Sequence, residues 1–152
     1  MNTVTKIGLV VMALVASACG CPVNDSGVDS RQDWIAERDA ACAAVDGCDA
    51  DFVAAVPVYE EALSRVEEIC DEGRGCFCIG DGCPGSILMS DSDVLIDGCD
   101  PAQPNCWYTQ HDIALHEYVH AAFRSIGQKT GDHPEHFEIA VQRARAIYYA
   151  AQ

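Results

Sequence analysis

Cations are scarce in this chain: Lys and Arg together number 9 against 24 Asp and Glu in 152 residues, a formal net charge of -15. A surface of that sign repels polyanions, which argues against a nucleic-acid partner and against direct adsorption to an anionic membrane. Long apolar runs are missing too. The hydrophobic stretch at residues 7–16 falls short of the roughly 20 residues that a membrane-crossing helix needs. The C-x-x-C pairs of zinc ribbons and redox sites are also absent, and Cys76 with Cys78 has the wrong spacing for the common zinc knuckles. A length of 152 residues accommodates one domain with a modest core.

Cysteine itself is abundant. Ten are spread along the chain, a density that suits an oxidising compartment rather than the cytosol. The N-terminus agrees: MNTVTKIGLVVMALVASAC has one lysine, an apolar run and then small residues, the pattern of a secretory signal. A signal peptide is expected over residues 1–18, a polar tether over 19–28 and the folded domain over 29–152. VASAC resembles a bacterial lipobox, which implies a lipid anchor on Cys19 and a place in the cell envelope. The A-x-A reading of the same residues implies ordinary export to the periplasm or the exterior. Beyond the tether, Cys42, Cys48, Cys70, Cys76, Cys78, Cys83, Cys99 and Cys106 are enough for four bridges, with Cys42 to Cys48 and Cys99 to Cys106 as local loops.

The pattern along the chain predicts an α+β domain, mainly helical, with a short β-hairpin or edge strand and disulfide staples. Residues 30–45 open on a capping Ser30 and set Trp34, Ile35, Cys42 and Val45 among charged neighbours, as in a surface helix. Residues 57–70 read as a second helix, with Pro57 in its first turn, Glu60 and Glu61 near its positive end, and a stripe of Val58, Ala62, Val66 and Ile69. Residues 71–85 are dense in Gly and Cys and read as an irregular loop. Two short β-type runs, 87–89 and 94–96, flank the turn residues SDSD and read as a hairpin or an edge strand.

A third helix is expected over residues 110–126, with Thr109 and Asp112 as a capping box and Gly127 at its C-terminal stop. It contains LHEYVHAAF, in which His116, Glu117 and His120 form H-E-x-x-H. Histidines four apart on a helix lie one above the other, so both imidazoles can reach one ion. The glutamate between them stands where a base for a metal-activated water belongs. Ile113, His116, His120 and Phe123 fall along one side, so the histidines sit within a largely apolar stripe, where buried imidazoles need hydrogen-bond partners or a shared cation.

A catalytic zinc usually takes three protein ligands. Asp132, His133, His136 and Glu138 are the candidates for the third, on or just before a final helix whose core face runs through Phe137, Val141, Ala144 and Tyr148. The metzincin pattern is excluded, because Phe123 and Ile126 stand where it needs Gly and His. Residues 115–145 resemble the SprT-like zinc metallopeptidases, in which H-E-x-x-H-A is followed, after a linker, by a third histidine four residues before a phenylalanine. Here Ala121 follows His120, and His133 precedes Phe137 by four. Pro134 replaces the glycine often found after that histidine.

The resemblance implies a small zincin-like domain with zinc on His116, His120 and His133, Glu117 as the catalytic base, and a peptide or protein substrate. The DNA-linked role of the intracellular members does not carry over to so acidic a chain. Asp132 is expected to cap the final helix with Pro134 in its first turn, which would place His133 at the helix start. Tyr108, Tyr118, Tyr148, Tyr149 and His111 are the groups available to steady an oxyanion, although Tyr118 lies about 200° around the helix from His116 and should pack elsewhere. Residues 86–89 or 93–96 are expected to receive an extended substrate edge-on. The alternative function is a non-catalytic, metal-binding lipoprotein of the cell envelope.

Overall fold

The computed structural model describes residues 29–71, 73–79 and 85–152. The expected signal peptide, the tether with Cys19 and Cys21, and Cys83 lie outside the described residues.

A 3-10 turn, Arg31–Trp34, leads into α1, Ile35–Ala44. Ser30 precedes that turn, but its hydroxyl makes no capping bond and points to the Val58 carbonyl at 3.4 Å instead. A short helix that the sequence pattern did not suggest, α2, Ala50–Ala55, starts on Asp49, whose carboxylate accepts the Asp51 and Phe52 N–H groups at 3.1 Å each.

Residues 57–70 do not form one helix. Val58–Glu61 is a strand, β1, and only Leu63–Ile69 is helical, as α3. The i, i+4 spacing of Val58 and Ala62 that suggested a helix is overridden by tertiary burial. Val58 is wholly buried in parallel pairing with Ile87, and the Trp34 indole N–H donates to Glu60 at 3.0 Å.

The segment expected to be irregular contains β2, Gly75–Cys78. It pairs antiparallel with β3, Ser86–Ser90, and the sheet order is β1-β3-β2. The runs at 87–89 and 94–96 are therefore strands of different sheets, because β4, Val94–Leu95, pairs with β5, Trp107–Tyr108. All five residues of β3 are buried, as in a strand covered on both faces, and its two neighbours occupy both of its edges.

The last two elements are α4, Gln110–Ser125, and α5, Glu135–Ala150. α4 packs against α1, α2 and α5 and also against β2 and β3, so its apolar residues form the centre of one core. Leu115, Tyr118 and Val119 of α4 meet Phe137 and Val141 of α5, Ala41 of α1 and Ile87 of β3 in that cluster. The result is the mainly helical α+β domain that the sequence implied.

Among the described residues three disulfides staple it: Cys42–Cys48, Cys70–Cys76 and Cys99–Cys106. Each closes a short loop, worth roughly 2 kcal/mol on chain entropy. Cys42–Cys48 ties the end of α1 to the turn before α2, and Cys70–Cys76 ties α3 to β2. Such bridges are compatible with an extracellular or periplasmic location. Among the described residues no helix is long and apolar enough to cross a membrane.

Candidate metal centre

α4 delivers His116, Glu117 and His120. Its start is fixed by Thr109, whose hydroxyl accepts the Asp112 N–H at 3.1 Å and donates to Asp112 Oδ2 at 3.0 Å. Asp93 also holds the Gln110 N–H at 2.8 Å. The helix ends at Ile126, followed by Gly127 at a φ of 77°, the left-handed stop that glycine adopts without penalty. One helical turn separates the two histidines, and their ring centroids are 5.0 Å apart.

The third imidazole comes from the turn between α4 and α5. His133 Nε2 lies 3.3 Å from His116 Nε2 and 3.1 Å from His120 Nε2, and one ligand atom from each of the three falls within 4.8 Å of the others. Two nitrogens bound to one tetrahedral ion at about 2.0–2.1 Å stand about 3.3 Å apart. The three rings are thus placed to share an ion.

His133 reaches this position through a left-handed backbone, φ 44°, in a turn closed by its N–H on the Thr130 carbonyl at 3.0 Å. Left-handed geometry is uncommon for a residue with a side chain, and histidine is among the few enriched there. The expected Asp132 cap is a correction: Pro134 is the N-cap of α5, no side chain caps it, and the Pro134 carbonyl accepts the Phe137 N–H at 2.8 Å. Asp132 is exposed. His136 packs its ring against Phe123 at 5.4 Å and lies outside the histidine group. Glu138 stays at the rim, with Oε1 3.8 Å from His133 Nδ1, too long for a hydrogen bond.

Two supporting residues escaped the sequence pattern. Thr130, buried, places Oγ1 2.6 Å from His120 Nδ1. An Nδ1–H donated to that hydroxyl leaves the Nε2 lone pair of His120 directed at the other two rings. Phe137, wholly buried, is the common floor: it stacks on His133 at 4.9 Å and on His120 at 4.2 Å, and meets His116 edge-on at 5.1 Å. Its place in the α5 core stripe was legible, but its second role under the imidazoles was not.

No protein-family model, curated protein or solved structure matches this chain.

Glu117 is 4% exposed. Burial pushes its pKa up to about 8, against the opposing effect of a hydrogen bond from the Phe77 backbone N–H. Its Oε2 has no hydrogen-bond partner among the described residues. Burial also lowers His116 to about 4 and His120 to about 3, with the neighbouring histidines adding to the shift. Both rings are therefore neutral near pH 7, as metal ligands must be.

Gly75 of β2 is what lets the strand cross so close to this carboxylate. A Cβ there would stand 2.9 Å from Ile113 Cγ2, 3.1 Å from the Leu88 carbonyl oxygen and 3.3 Å from Glu117 Cγ. Two hollows open beside the crossing. The larger, about 780 Å³, includes His116, Glu117, His120 and His133 in its wall. The smaller, about 350 Å³, shares His116, Glu117 and His133 and adds Tyr108 and Arg145.

Of the residues considered for an oxyanion, only Tyr108 lines either hollow, with the Arg74 guanidinium 4.2 Å above its ring. Tyr118 is wholly buried away from both, in line with its angular position on α4. The Tyr148 hydroxyl lies 3.0 Å from His111 Nδ1, which is itself 2.6 Å from the buried Glu37 carboxylate. Tyr149 donates to Asp112 at 3.3 Å.

Proposed function

We propose that this chain is a zinc-dependent metallopeptidase of zincin type, with zinc on His116, His120 and His133 and Glu117 as general base. The observation that carries the reading is the Glu117 carboxylate: buried, with one oxygen unpartnered, in the wall of a cavity it shares with the three imidazoles. A purely structural metal site has no use for a desolvated carboxylate in that position. The ligand set is also the one that the SprT-like resemblance implies, residue for residue.

Zinc held this way supplies Lewis acidity toward a water and a peptide carbonyl. Glu117 takes the proton of the attacking water and returns it to the leaving amine. Burial raises its pKa in the metal-free site, and a zinc ion bound beside it would favour the ionised form that accepts the proton. The Phe77 N–H faces this carboxylate and favours its charged form, while Oε2 is left for the water. Tyr108 is the hydroxyl available on the side of the smaller hollow.

The substrate strand belongs on β2 rather than on residues 86–89, because β3 is paired along both edges. The Ser90 N–H donates to the Arg74 carbonyl at 3.1 Å, so the antiparallel alternation turns the backbone groups of Gly75 and Phe77 toward the outer edge of β2, which pairs with no strand among the described residues. With the Phe77 N–H engaged by Glu117, the Gly75 groups remain for an added strand. Export, and a lipid anchor on Cys19, complete the proposal from the N-terminal sequence.

Replacing Glu117 with Gln keeps the helix and the imidazoles and removes the base. Hydrolysis of a mixed peptide library should fall by roughly 10² or more while zinc affinity changes little. Equal hydrolysis by the two proteins overturns this mechanism. Zinc binding with no hydrolysis by the wild type would instead make the chain a non-catalytic metal-binding protein of the envelope.

A further inference from the structure

The few cations of this acidic chain are not spread evenly over it. Of the nine Lys and Arg, Arg74, Arg124, Lys129 and Arg145 line the two hollows beside the histidines. In the smaller hollow the charges are matched: Arg145 Nε lies 3.1 Å from Asp112 Oδ1, and Glu138 shares the wall. The larger hollow differs. Among the described residues Glu117 is the only acidic one in its wall, which Arg124 and Lys129 also line. Neither forms an ion pair within 4.0 Å with a carboxylate among the described residues.

Helical geometry explains why Arg124 is there. It follows His120 by four residues, as His120 follows His116, so its Cα continues the line of the two histidines one turn, about 6 Å, further along α4, and its side chain lines the same hollow. Lys129 comes from the loop just before Thr130, the residue that orients His120. The position of this positive end relative to the metal centre is therefore set by the same helix and turn that build the centre.

We infer that the Arg124 and Lys129 end of the larger hollow is a subsite for a substrate carboxylate, held there while the adjoining peptide bond lies at the three histidines. The inference rests on the peptidase reading and names its substrate class: peptides that carry a carboxylate close to the scissile bond. The guanidinium fork suits a carboxylate in two-point contact, and the ammonium adds a point charge. Two cations within a chain of net charge -15 select an isolated anionic group, since an extended polyanion would be repelled by everything around the cleft. Two sources supply the same group, an Asp or Glu side chain and a free C-terminus, and they correspond to an endopeptidase and a carboxypeptidase.

The test uses three peptide sets of one parent sequence: amidated with acidic residues near the central bond, amidated and neutral, and neutral with a free C-terminal carboxylate. Binding is measured by calorimetry to the zinc-loaded Glu117→Gln protein, and kcat/KM to the wild type. A carboxylate-bearing set should bind about tenfold more tightly than the neutral amidated one. The difference should appear mainly in KM and shrink with added salt. Which of the two carboxylate sets gains decides between side chain and C-terminus.

Arg124→Gln combined with Lys129→Gln should bring the ratio to about one, and Arg124→Glu should turn the preference toward Lys-containing peptides. Arg143→Gln, on an exposed position of α5, should keep the wild-type preference. Equal binding of all three sets by the Glu117→Gln protein with Arg124 and Lys129 in place overturns the inference even if the further variants fail to fold, as does a preference that survives the double substitution. Retained preference in binding with no hydrolysis by the wild type would overturn the peptidase reading and leave the carboxylate subsite standing.

Discussion

Thr130 Oγ1 lies 2.6 Å from His120 Nδ1, and the carbonyl of the same residue accepts the His133 N–H at 3.0 Å. One buried threonine thus orients one imidazole and closes the turn that presents another. Thr130→Val keeps the shape and the carbonyl but removes the hydroxyl. Zinc affinity should fall roughly 10- to 100-fold, the usual scale for a residue that orients a metal ligand, as read by competition with a chromogenic chelator. A change below twofold would mean that the backbone turn alone sets the His120 ring.

His133 and His136 should separate cleanly. His133→Ala removes one of three converging nitrogens and should weaken zinc binding by at least 10²-fold, an order-of-magnitude figure for losing a direct ligand, which exceeds the loss of a supporting one. His136→Ala removes only a ring packed on Phe123 and should leave the affinity within about threefold. The opposite ranking in the same titration would move the third ligand to His136.

The metal-free chain should be most stable near pH 6.5. Burial, more than the neighbouring charges, holds His116 at about 4 and His120 at about 3 in the fold. Below their ordinary value of 6.5 the unfolded chain takes up protons that the folded chain refuses, so stability falls as the pH drops from about 6.5 toward those values. Glu117 acts in the opposite sense. Its folded pKa of about 8 means that the folded chain keeps a proton the unfolded chain releases, so stability also falls as pH rises from about 4.5 to 8. Glu117→Gln should abolish the alkaline loss and, in chelator at pH 8, exceed the wild type by on the order of 4 kcal/mol. Urea denaturation between pH 5 and 8 measures both limbs, and parallel curves for the two proteins would contradict the burial of this carboxylate.

Gly75→Ala tests the crossing of β2 over α4. The added methyl would meet Ile113 Cγ2 at 2.9 Å and the Leu88 carbonyl oxygen at 3.1 Å, and backbone cannot yield as a side chain can. A loss of about 1–3 kcal/mol is expected, together with reduced peptide hydrolysis, because the strand that holds Glu117 must move. An unchanged denaturation midpoint would show that the strand is not seated this closely.

What could be read without the fold was local. The i, i+4 spacing of His116 and His120, the Thr109 start and the Gly127 stop of α4 follow from helix geometry and from capping by neighbouring residues. The two short cysteine loops, Cys42–Cys48 and Cys99–Cys106, were equally legible, because their ends are close in sequence. The α+β class followed from the same local periods. Local period also misled: Val58 and Ala62 fit a helical stripe, yet pairing with Ile87 on a distant segment makes Val58 part of a strand.

The choice of His133 over His136 could not be read from spacing in the residues themselves. It depends on one left-handed backbone angle and on a hydrogen bond to Thr130, which together aim the ring back at α4. The condition of Glu117 was just as invisible. An exposed helical glutamate and a buried one are spelled alike, and only the close passage of Gly75 and Phe77, a stretch far away in the chain, removes the water and supplies the single N–H. Identity and helical spacing determine which groups the chain can offer, but their burial, direction and proton affinity are properties of two or more segments brought together, so the tertiary structure decides them.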